Sequence, residues 1–215
     1  ADEINRAPAK VQSALLEAME ERQVTVMGKT YKMSELFMVM ATQNPIEQEG
    51  TYPLPEAQLD RFLFKLILNY PNKDSEKQIL NLIRNNSFKN LDEAKKFDQA
   101  IIFSAREEVE KIESSEAIVQ YIVDLVDATR SPAKYSDSLS KWITMGVSPR
   151  ATIAIDSASR AMAWLSGKSY VDPDDVRSVI FPVLRHRLYL SYEAYSENIS
   201  SDDVIKEIIK SVEVL

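Results

Sequence analysis

Cysteine is absent from the 215-residue sequence, and the chain has a single histidine and four glycines. Without cysteine no disulfide and no thiolate metal site can form, and His186 alone cannot anchor a multi-histidine metal site. No apolar run is long enough to span a membrane, and the chain does not open on a signal peptide. Few glycines are typical of a helix-rich fold with few tight turns. We therefore expect a cytoplasmic protein without a membrane partner.

Positive charge is also scarce, with 26 lysines and arginines against 33 aspartates and glutamates and a net charge of -7. A protein that binds nucleic acid without sequence specificity relies on lysine and arginine to neutralise phosphates, so the acidic balance argues against a nucleic-acid partner. Hydrophobic residues make up 45% of the chain, which is ordinary for a globular protein and argues against global disorder.

Two adjacent acids, Asp2 and Glu3, stand just before a predicted amphipathic helix over about residues 8–21. Pro8 in the first turn and apolar residues at three- and four-residue steps indicate this helix. In phosphate-handling α/β folds, ligands bind where a strand meets such a helix. One carboxylate there can hold a hydrated Mg²⁺, and its neighbour can act as a base towards water. The alternative is a solvated acidic helix start, which the helix dipole favours.

A continuously apolar run at residues 36–42 predicts a strand buried on both faces of a parallel sheet. Pro45 ends this strand, so Asn44 stands at its carboxyl end, level with Asp2 and Glu3 if the two strands are neighbours. An amide at that edge can hydrogen-bond a γ-phosphate or an attacking water. The alternative is an asparagine that caps a turn.

Residues 23–32 alternate apolar and polar side chains around a turn at Gly28-Lys29, which predicts a β-hairpin. A two-stranded ribbon is marginally stable alone, so we expect it to lean on a neighbouring subunit or on a substrate. A short helix is predicted at residues 56–60 and a further strand at residues 62–68.

Two arginines occupy unusual positions. Arg61 closes the predicted helix 56–60, where it can pair with Asp60 or stabilise the helix C-terminus. Arg150 lies in the first turn of a long helix that Ser148 caps and Pro149 begins, although a cation there opposes the helix dipole. Either Arg150 extends over apolar neighbours, or an anion normally lies close to it.

The apolar strands end near residues 70–72, and the remainder of the chain reads as helical. We therefore predict an α/β domain over residues 1–71 and an all-helical domain over residues 72–215. The pattern of residues 97–103 leaves open an extended segment or a linker, and residues 132–138 are predicted to form a loop. One helix of this domain is predicted to open at Asp74, and further helix starts are marked by capping residues at Ser104, Ser115, Asp172 and Ser201.

Four motifs occur along the chain in this order: Asp2-Glu3, residues 41–45 (ATQNP), residues 55–62 (PEAQLDRF) and residues 146–151 (GVSPRA). In this order they resemble the MoxR family of AAA+ ATPases, and the resemblance covers almost the whole chain. It implies the latter part of an α/β P-loop NTPase core followed by an all-α helical lid, with a mostly helical fold. The hairpin resembles the one inserted before sensor 1 in a large clade of AAA+ proteins.

The resemblance also implies roles for the singled-out residues. Asp2 and Glu3 resemble the end of a Walker B motif, in which Asp2 holds Mg²⁺ through water and Glu3 activates the attacking water. Asn44 is similar to sensor 1, which positions that water or the γ-phosphate. Arg61 resembles the arginine finger that reaches the ATP of the next subunit, and its planar fork suits two phosphate oxygens. Arg150 resembles the sensor 2 arginine and is expected to act in cis as the lid closes.

The sequence departs from the family in one large respect, because no G-x-x-x-x-G-K-[ST] motif occurs anywhere in it. That phosphate loop forms most of the cradle for the β- and γ-phosphates of ATP. The chain therefore resembles the later part of a MoxR-type ATPase. Alone, we expect it to bind ATP poorly and to lack ATPase activity.

The resemblance implies an enzyme that hydrolyses ATP with Mg²⁺ at the subunit interfaces of a ring, expected to be a hexamer. Members of the family are thought to act as chaperones that remodel or activate partners, often proteins with von Willebrand factor A domains. Two alternatives stay open: a metal-insertion motor similar to the magnesium chelatase ATPase subunit, and a non-enzymatic interaction module with an ATPase-like fold. A DNA-remodelling AAA+ protein is disfavoured by the net acidity.

Overall fold

A computed structural model describes residues 1–44, 50–84 and 97–214 of the chain. Helices dominate these residues, as predicted. The helices are α1 (Ala9–Glu21), α2 (Glu56–Leu59), α3 (Lys73–Arg84), α4 (Gln99–Glu110), α5 (Glu116–Arg130), α6 (Asp137–Trp142), α7 (Pro149–Leu165), α8 (Pro173–Leu184), α9 (Tyr192–Ser196) and α10 (Ser201–Ser211). The strands are β1 (Gln23–Val26), β2 (Lys29–Lys32), β3 (Ile143–Met145) and β4 (Tyr189–Leu190).

The chain divides into two compact units, one formed by Ala1–Lys65 with Val109–Leu215 and the other by Leu66–Glu108. The division that the sequence suggests between residues 71 and 72 stays a prediction. In the smaller unit, α3 leaves the apolar side chains of Ile79 and Ile83 exposed. Across the described parts of the chain, no helix is both long and apolar enough to cross a membrane.

The core of the larger unit lies among α5, α7, α8 and α10. Leu125, Ile155, Ile180 and Ile205 are fully buried there, because apolar residues recur on one face of each helix. Helix α7 packs most extensively on α8. Small residues such as Ala151 on the buried face of α7 let neighbouring backbones approach closely.

Three capping residues act as predicted. Ser115, Ser148 and Asp172 accept hydrogen bonds from backbone amides at the starts of α5, α7 and α8. The last helix, α10, begins at Ser201, and its cap is Ser200, one residue before the predicted position. Local side-chain chemistry therefore sets where these helices begin.

The predicted cap at Ser104 is wrong, because Ser104 lies inside α4. This helix begins at Gln99, where the Asp98 side chain accepts a hydrogen bond from the Ala100 amide at 3.0 Å. Most of residues 97–103, which the sequence pattern could not assign, are therefore helical. Asp98, six positions before Ser104, therefore caps the helix at its observed start.

The helical part also contains a two-stranded antiparallel ribbon, β3–β4, in which Ile143 pairs with Leu190. Strands this short show no readable alternation, so the sequence pattern does not predict them. The predicted loop at residues 132–138 contains a 3₁₀ turn at Pro132–Lys134, and α6 begins at Asp137.

Strands β1 and β2 form the predicted hairpin, with Val24 opposite Tyr31. The turn lies at Met27-Gly28, one residue before the predicted position, and both residues have positive φ, 49° and 76°. Two consecutive positive φ values are typical of a type I′ turn, whose twist suits a two-residue hairpin loop. Met27 is fully exposed at the tip.

The strand predicted at residues 36–42 is not a regular strand in the structure. Its end makes backbone hydrogen bonds with Ala1: the Met40 carbonyl accepts at 2.6 Å, and the Thr42 amide donates at 3.0 Å. A central strand of a parallel sheet needs neighbours along its whole length. An apolar run in the sequence predicts that a strand is buried, but it does not show whether neighbouring strands are present to pair with it.

The strand predicted at residues 62–68 is likewise not assigned as a strand. Side chains, and not a neighbouring strand, bind its carbonyl groups. The Phe62 carbonyl accepts from Arg187 at 2.7 Å, and the Lys65 carbonyl accepts from Arg185 at 3.0 Å. Contacts with residues far along the chain therefore decide the conformation of this segment.

Candidate functional site

Two segments that are distant in the sequence run side by side at the N-terminal end of the chain. Ala1 donates to the Met40 carbonyl, and its own carbonyl accepts from the Thr42 amide, which is the hydrogen-bond pattern of a parallel pair. The Ile4 amide then donates to the Thr42 carbonyl at 2.9 Å. The two segments are therefore neighbours, which is the condition under which the sequence places Asn44 level with Asp2 and Glu3.

Thr42 connects this pairing to the predicted acids. Its hydroxyl donates to Asp2 Oδ1 at 2.6 Å and accepts from the Glu3 amide at 2.8 Å. The carboxyl ends of parallel neighbours reach the same edge, so Asn44 leaves the pair on the side of Asp2 and Glu3. Sequence reasoning did not single out Thr42, although its polar side chain at the end of an apolar run was the available signal.

Glu3 has a left-handed backbone conformation, with φ 45° and ψ 58°, which is uncommon for a residue with a side chain. Such a conformation costs about 1 to 3 kcal/mol and persists where surrounding contacts impose it. The Glu3 amide is held by the Thr42 hydroxyl, and its carboxylate pairs with Arg6 at 2.7 Å. Backbone strain at a predicted catalytic residue supports a functional hypothesis for Glu3.

Gln12 fixes the start of α1 relative to these acids. Its side chain is buried, and Nε2 lies 3.3 Å from the Ile4 carbonyl, 3.1 Å from the Ala7 carbonyl and 3.1 Å from the Tyr52 carbonyl. A buried amide that binds three backbone carbonyls leaves the chain little freedom between the acids and the helix.

The two arginines singled out in the sequence meet at one carboxylate. Glu20, near the end of α1, accepts from Arg61 Nη2 at 2.5 Å on one oxygen and from Arg150 Nη2 at 2.8 Å on the other. The helical pattern of α1 predicts a solvated face for Glu20, and Glu20 is indeed exposed, but the pattern does not predict its two arginine partners. Glu20 and Arg150 are 130 positions apart, so no local pattern could have linked them.

The sequence suggested that Asp60 pairs with Arg61, but in the structure its carboxylate binds other residues. Its Oδ1 accepts from Arg187 Nε at 3.0 Å, and its Oδ2 accepts from the Ser148 hydroxyl at 2.8 Å. Arg150 Nη1 lies 3.7 Å from the same Oδ2. Because Ser148 caps α7, Asp60 links the end of α2 to the start of α7.

Arg187 is the most deeply buried charged side chain of this cluster, with 3% of its side chain exposed. Burial lowers the pKa of its guanidinium, and the hydrogen bond to Asp60 opposes that shift. Next to it, His186 Nε2 lies 2.9 Å from the Phe62 carbonyl. Burial and, to a smaller extent, Arg187 lower the pKa of His186 to about 4, so this histidine is neutral at pH 7 and structural in character.

The arginine cluster lines a pocket of about 320 Å³. Arg61, Arg150 and Arg187 bring three positive charges to it, and Glu20 and Asp60 bring two negative ones. Arg61 Nε is buried and has no hydrogen-bond partner within the described residues. An excess of guanidinium charge together with an unused N–H donor suits an anionic ligand.

The acids and the arginines lie at opposite ends of α1. Asp2 and Glu3 precede its start, whereas Glu20, which binds the arginines, stands one residue before its end. At about 1.5 Å per residue, the rise from Ala9 to Glu20 is roughly 16 Å. The structure therefore brings Asp2 together with Glu3, and Arg61 together with Arg150, and separates the two pairs.

The described residues contain no group of three or more His, Cys, Asp or Glu side chains that could hold a metal ion directly. Asp2 does fit a hydrated ion. Its side chain is exposed, and the Thr42 hydroxyl orients one of its oxygens. A carboxylate in this setting can bind Mg²⁺ that keeps most of its water ligands.

Residues 1–64 match the ATPase family associated with various cellular activities (AAA), and residues 140–208 match the AAA lid domain. Chaperone MoxR1 of Mycobacterium tuberculosis is 45% identical over 214 residues, covering 99% of this chain and 56% of that protein. Protein MoxR of Paracoccus denitrificans is 33% identical over 210 residues, covering 88% of this chain and 59% of that protein. A crystal structure of a candidate ATPase from Cytophaga hutchinsonii is similar, with a TM-score of 0.91 and 43% identity, covering 100% of this chain and 65% of that one.

The fold is therefore that of an AAA+ ATPase, with part of the α/β core followed by a helical lid. Within that class the chain belongs to the MoxR family, as its motifs predict. The chain spans between 56% and 65% of the length of these similar proteins.

Proposed function

We propose that this chain contributes to ATP-hydrolysing sites formed between neighbouring copies of the protein in a ring. The observation that carries the proposal is the separation of two half-sites, with Asp2 and Glu3 before one end of α1 and Arg61 and Arg150 at the other. Hydrolysis needs a base and cationic groups at the same γ-phosphate. Copies arranged head to tail place the arginines of one beside the acids of the next, and such contacts close into rings.

Asp2, Glu3 and Asn44 form the half that acts on the nucleotide of their own subunit. Asp2 holds a hydrated Mg²⁺, which when bound neutralises charge on the β- and γ-phosphates. Glu3 accepts a proton from the attacking water, and the amide of Asn44 orients that water or the γ-phosphate. The hydrogen bonds of Thr42 to both acids support these roles, because they fix Asp2 and Glu3 relative to one another.

Arg61 and Arg150 form the half that acts on the neighbour's nucleotide. A guanidinium spans two phosphate oxygens and keeps its charge at any working pH. The ion pairs that both arginines make with Glu20 support placing them at one interface, so we assign Arg150 a role in trans in place of the cis role that the resemblance implied. Glu20 holds the pair until a γ-phosphate competes for it.

The β- and γ-phosphates also need the backbone amides and lysine of a phosphate loop, which the 215 residues do not contain. We propose that these groups come from a part of the protein outside this chain. ATP and Mg²⁺ are then the ligands of the complete protein, and the chain supplies the hydrolytic and interfacial groups.

We further propose that the ring is a hexamer that works in the cytoplasm as a chaperone-like machine, remodelling or activating protein partners that include von Willebrand factor A domain proteins. The name of the mycobacterial relative, a chaperone, supports this role. The exposed hairpin with Met27 at its tip offers a contact surface for a client or a neighbouring subunit.

Mixed rings of the complete protein test the shared site. Arg61→Ala copies keep the base and lack the finger, whereas Glu3→Gln copies keep the finger and lack the base. Each variant alone should lose ATPase activity, by about 10³-fold or more for the finger. In mixtures some interfaces combine an intact Glu3 with an intact Arg61, so phosphate release should return in proportion to those interfaces.

The mixing experiment has two informative companions. Arg150→Ala copies should be rescued by Glu3→Gln copies in the same way, and failure of that rescue alone would return Arg150 to a cis role. Lys10→Ala, which removes an exposed cation from α1, should leave activity unchanged. Rings shown by native mass spectrometry to be mixed yet inactive at every ratio would contradict a site shared between subunits.

A further inference from the structure

Arg187 makes a set of contacts that none of the roles above uses. A guanidinium has five N–H donors, and five acceptors surround this one. Its Nε donates to Asp60 Oδ1 at 3.0 Å, and its Nη2 donates to the Asp60 carbonyl at 3.0 Å and the Phe62 carbonyl at 2.7 Å. Its Nη1 donates to the Leu63 carbonyl at 3.2 Å and to the Val183 carbonyl. Every donor of Arg187 is therefore used inside the protein.

Two of these acceptors are the carbonyls of Asp60 and Phe62, the residues on either side of Arg61. One guanidinium thus fixes the backbone both before and after Arg61. The Arg61 side chain extends from this fixed point to Glu20. A change in Arg187 would free the backbone from which the proposed arginine finger extends.

The carboxylate of Asp60 also connects Arg187 to the backbone at Arg150. While Oδ1 binds Arg187, Oδ2 accepts from the Ser148 hydroxyl at 2.8 Å. The Ser148 hydroxyl in turn accepts from the Arg150 amide at 3.2 Å. Arg187 therefore acts on the backbone of Arg61 directly and on that of Arg150 through Asp60 and Ser148.

Arg187 is anchored among buried residues of the helical core. Arg187 follows the end of α8, where Val183 and Leu184 are fully buried, and Leu188 directly after it is buried as well. The helical core thus holds Arg187 in place, and Arg187 holds the segment that contains Arg61. Catalytic groups supported in this way keep their geometry to within a fraction of an ångström.

We propose that Arg187 is a positioning residue that sets the locations of Arg61 and Arg150 for the reaction at the neighbouring subunit's nucleotide. This inference rests on the function proposed above. A lysine at this position cannot do the same work, because an ammonium has three donors and lacks the planar fork that binds Asp60 and two carbonyls together.

The test compares Arg187→Met and Arg187→Lys with Arg185→Met in the complete protein. Arg185 is a matched control, because it follows the same helix, is 14% exposed, and binds Asp202 and the Lys65 carbonyl instead of Asp60. A misplacement of about 1 Å can cost on the order of 100-fold in rate. We expect Arg187→Met to lower kcat by about that factor while the Kd for ATP stays within about threefold, with a smaller loss for Arg187→Lys.

Two readouts separate positioning from a general loss of structure. Subunits with Arg187→Met should regain activity when mixed with Glu3→Gln subunits, since their own base is intact and their fault lies in the arginines that face a neighbour. Arg185→Met should also lower Tm, because it removes a largely buried ion pair, and should leave kcat of the folded protein near the original value. Full activity in folded Arg187→Met, or no rescue by Glu3→Gln, would overturn the inference.

A further variant, Asp60→Asn, keeps the proposal testable if Arg187→Met does not fold. If Arg187→Met does not fold, Arg187→Lys and Asp60→Asn are measured in its place, and both are expected to reduce kcat and to be rescued by Glu3→Gln copies. Normal kcat in both would overturn the inference. Failure of Arg61→Ala with Glu3→Gln to regain activity would instead sink the shared site itself, whereas rescue of Arg61→Ala without rescue of the Arg187 variants would sink the inference alone.

Discussion

Residues 1–65 and residues 109–214 differ in how many of their apolar side chains are buried. Among the described residues of the first region, the buried apolar side chains are Ile4, Leu16 and Ala18. The second region contains a continuous core among α5, α7, α8 and α10. The proposed catalytic carboxylates lie in the thinly packed region, and most of the burial that stabilises a fold lies in the other.

The two regions meet through polar contacts. Arg185, His186 and Arg187, at the end of α8, bind backbone carbonyls of residues 60–65. The first region is thus positioned by hydrogen bonds from the second more than by a core of its own. Stability and chemistry are therefore divided between the two regions, and single contacts between the regions can affect both.

The largest effect is expected for Glu3→Gln in the complete protein. Shape is retained while proton acceptance is lost, so kcat should fall by about 10² to 10⁴-fold with ATP affinity unchanged. Tm should change little, because Glu3 lies outside the apolar core and the ion pair of its carboxylate with Arg6 is partly exposed. Steady-state phosphate release, ATP titration and thermal unfolding measure the three quantities.

Glu21→Gln serves as the control for that substitution, since it removes an exposed acid from the end of α1. It should leave hydrolysis intact. Near-normal turnover in Glu3→Gln would show that the base lies elsewhere, and a large loss of Tm would show that the first region contributes more to stability than its burial indicates.

A smaller effect is expected from pH, through His186 at the junction of the regions. Its pKa in the folded chain is about 4, below the ordinary 6.5, so the folded chain binds this proton less readily than the unfolded chain. The folded chain therefore has its full stability above the pKa that His186 has in the unfolded chain. That stability is lost as pH falls towards the lower pKa of His186 in the folded chain. Urea titrations at pH 7 and pH 5 should differ by about 2 kcal/mol in unfolding free energy from this residue.

His186→Gln isolates that contribution from the titration of the carboxylates. The glutamine amide can still donate to the Phe62 carbonyl, which accepts from His186 Nε2 at 2.9 Å, and it carries no titrating group. The difference between pH 7 and pH 5 should shrink by about 2 kcal/mol in this variant. An identical pH dependence in both proteins would contradict a buried neutral histidine at the junction.

The smallest effect comes from a matched pair of helical valines. Val126 of α5 is 1% exposed, whereas Val11 of α1 is 53% exposed. Val126→Ala should cost about 1.5 kcal/mol of unfolding free energy, from two lost methyl groups and the cavity they leave. Val11→Ala should change it by less than about 0.5 kcal/mol. Equal costs in chemical denaturation would remove the contrast in packing between the two regions.

Features of the fold that depend on neighbours in the sequence could be predicted from the sequence. Ser115, Ser148 and Asp172 cap helices, because a side-chain oxygen meets an amide two or three residues away. The hairpin follows from alternation around Gly28, with an error of one residue in the turn. The order of the motifs indicated the family, and the roles of Asp2, Glu3, Asn44, Arg61 and Arg150 stay predictions.

The tertiary structure alone decided which groups meet. Glu20 binds Arg150 across 130 positions, and Asp60 binds Arg187 across 127. The same holds for residues 36–42 and 62–68, whose apolar runs predicted strands that the available backbone partners did not support. Periodicity and capping act over a few residues, whereas the partner of a carboxylate or of a strand edge depends on how distant elements pack, and no local pattern in the sequence encodes that.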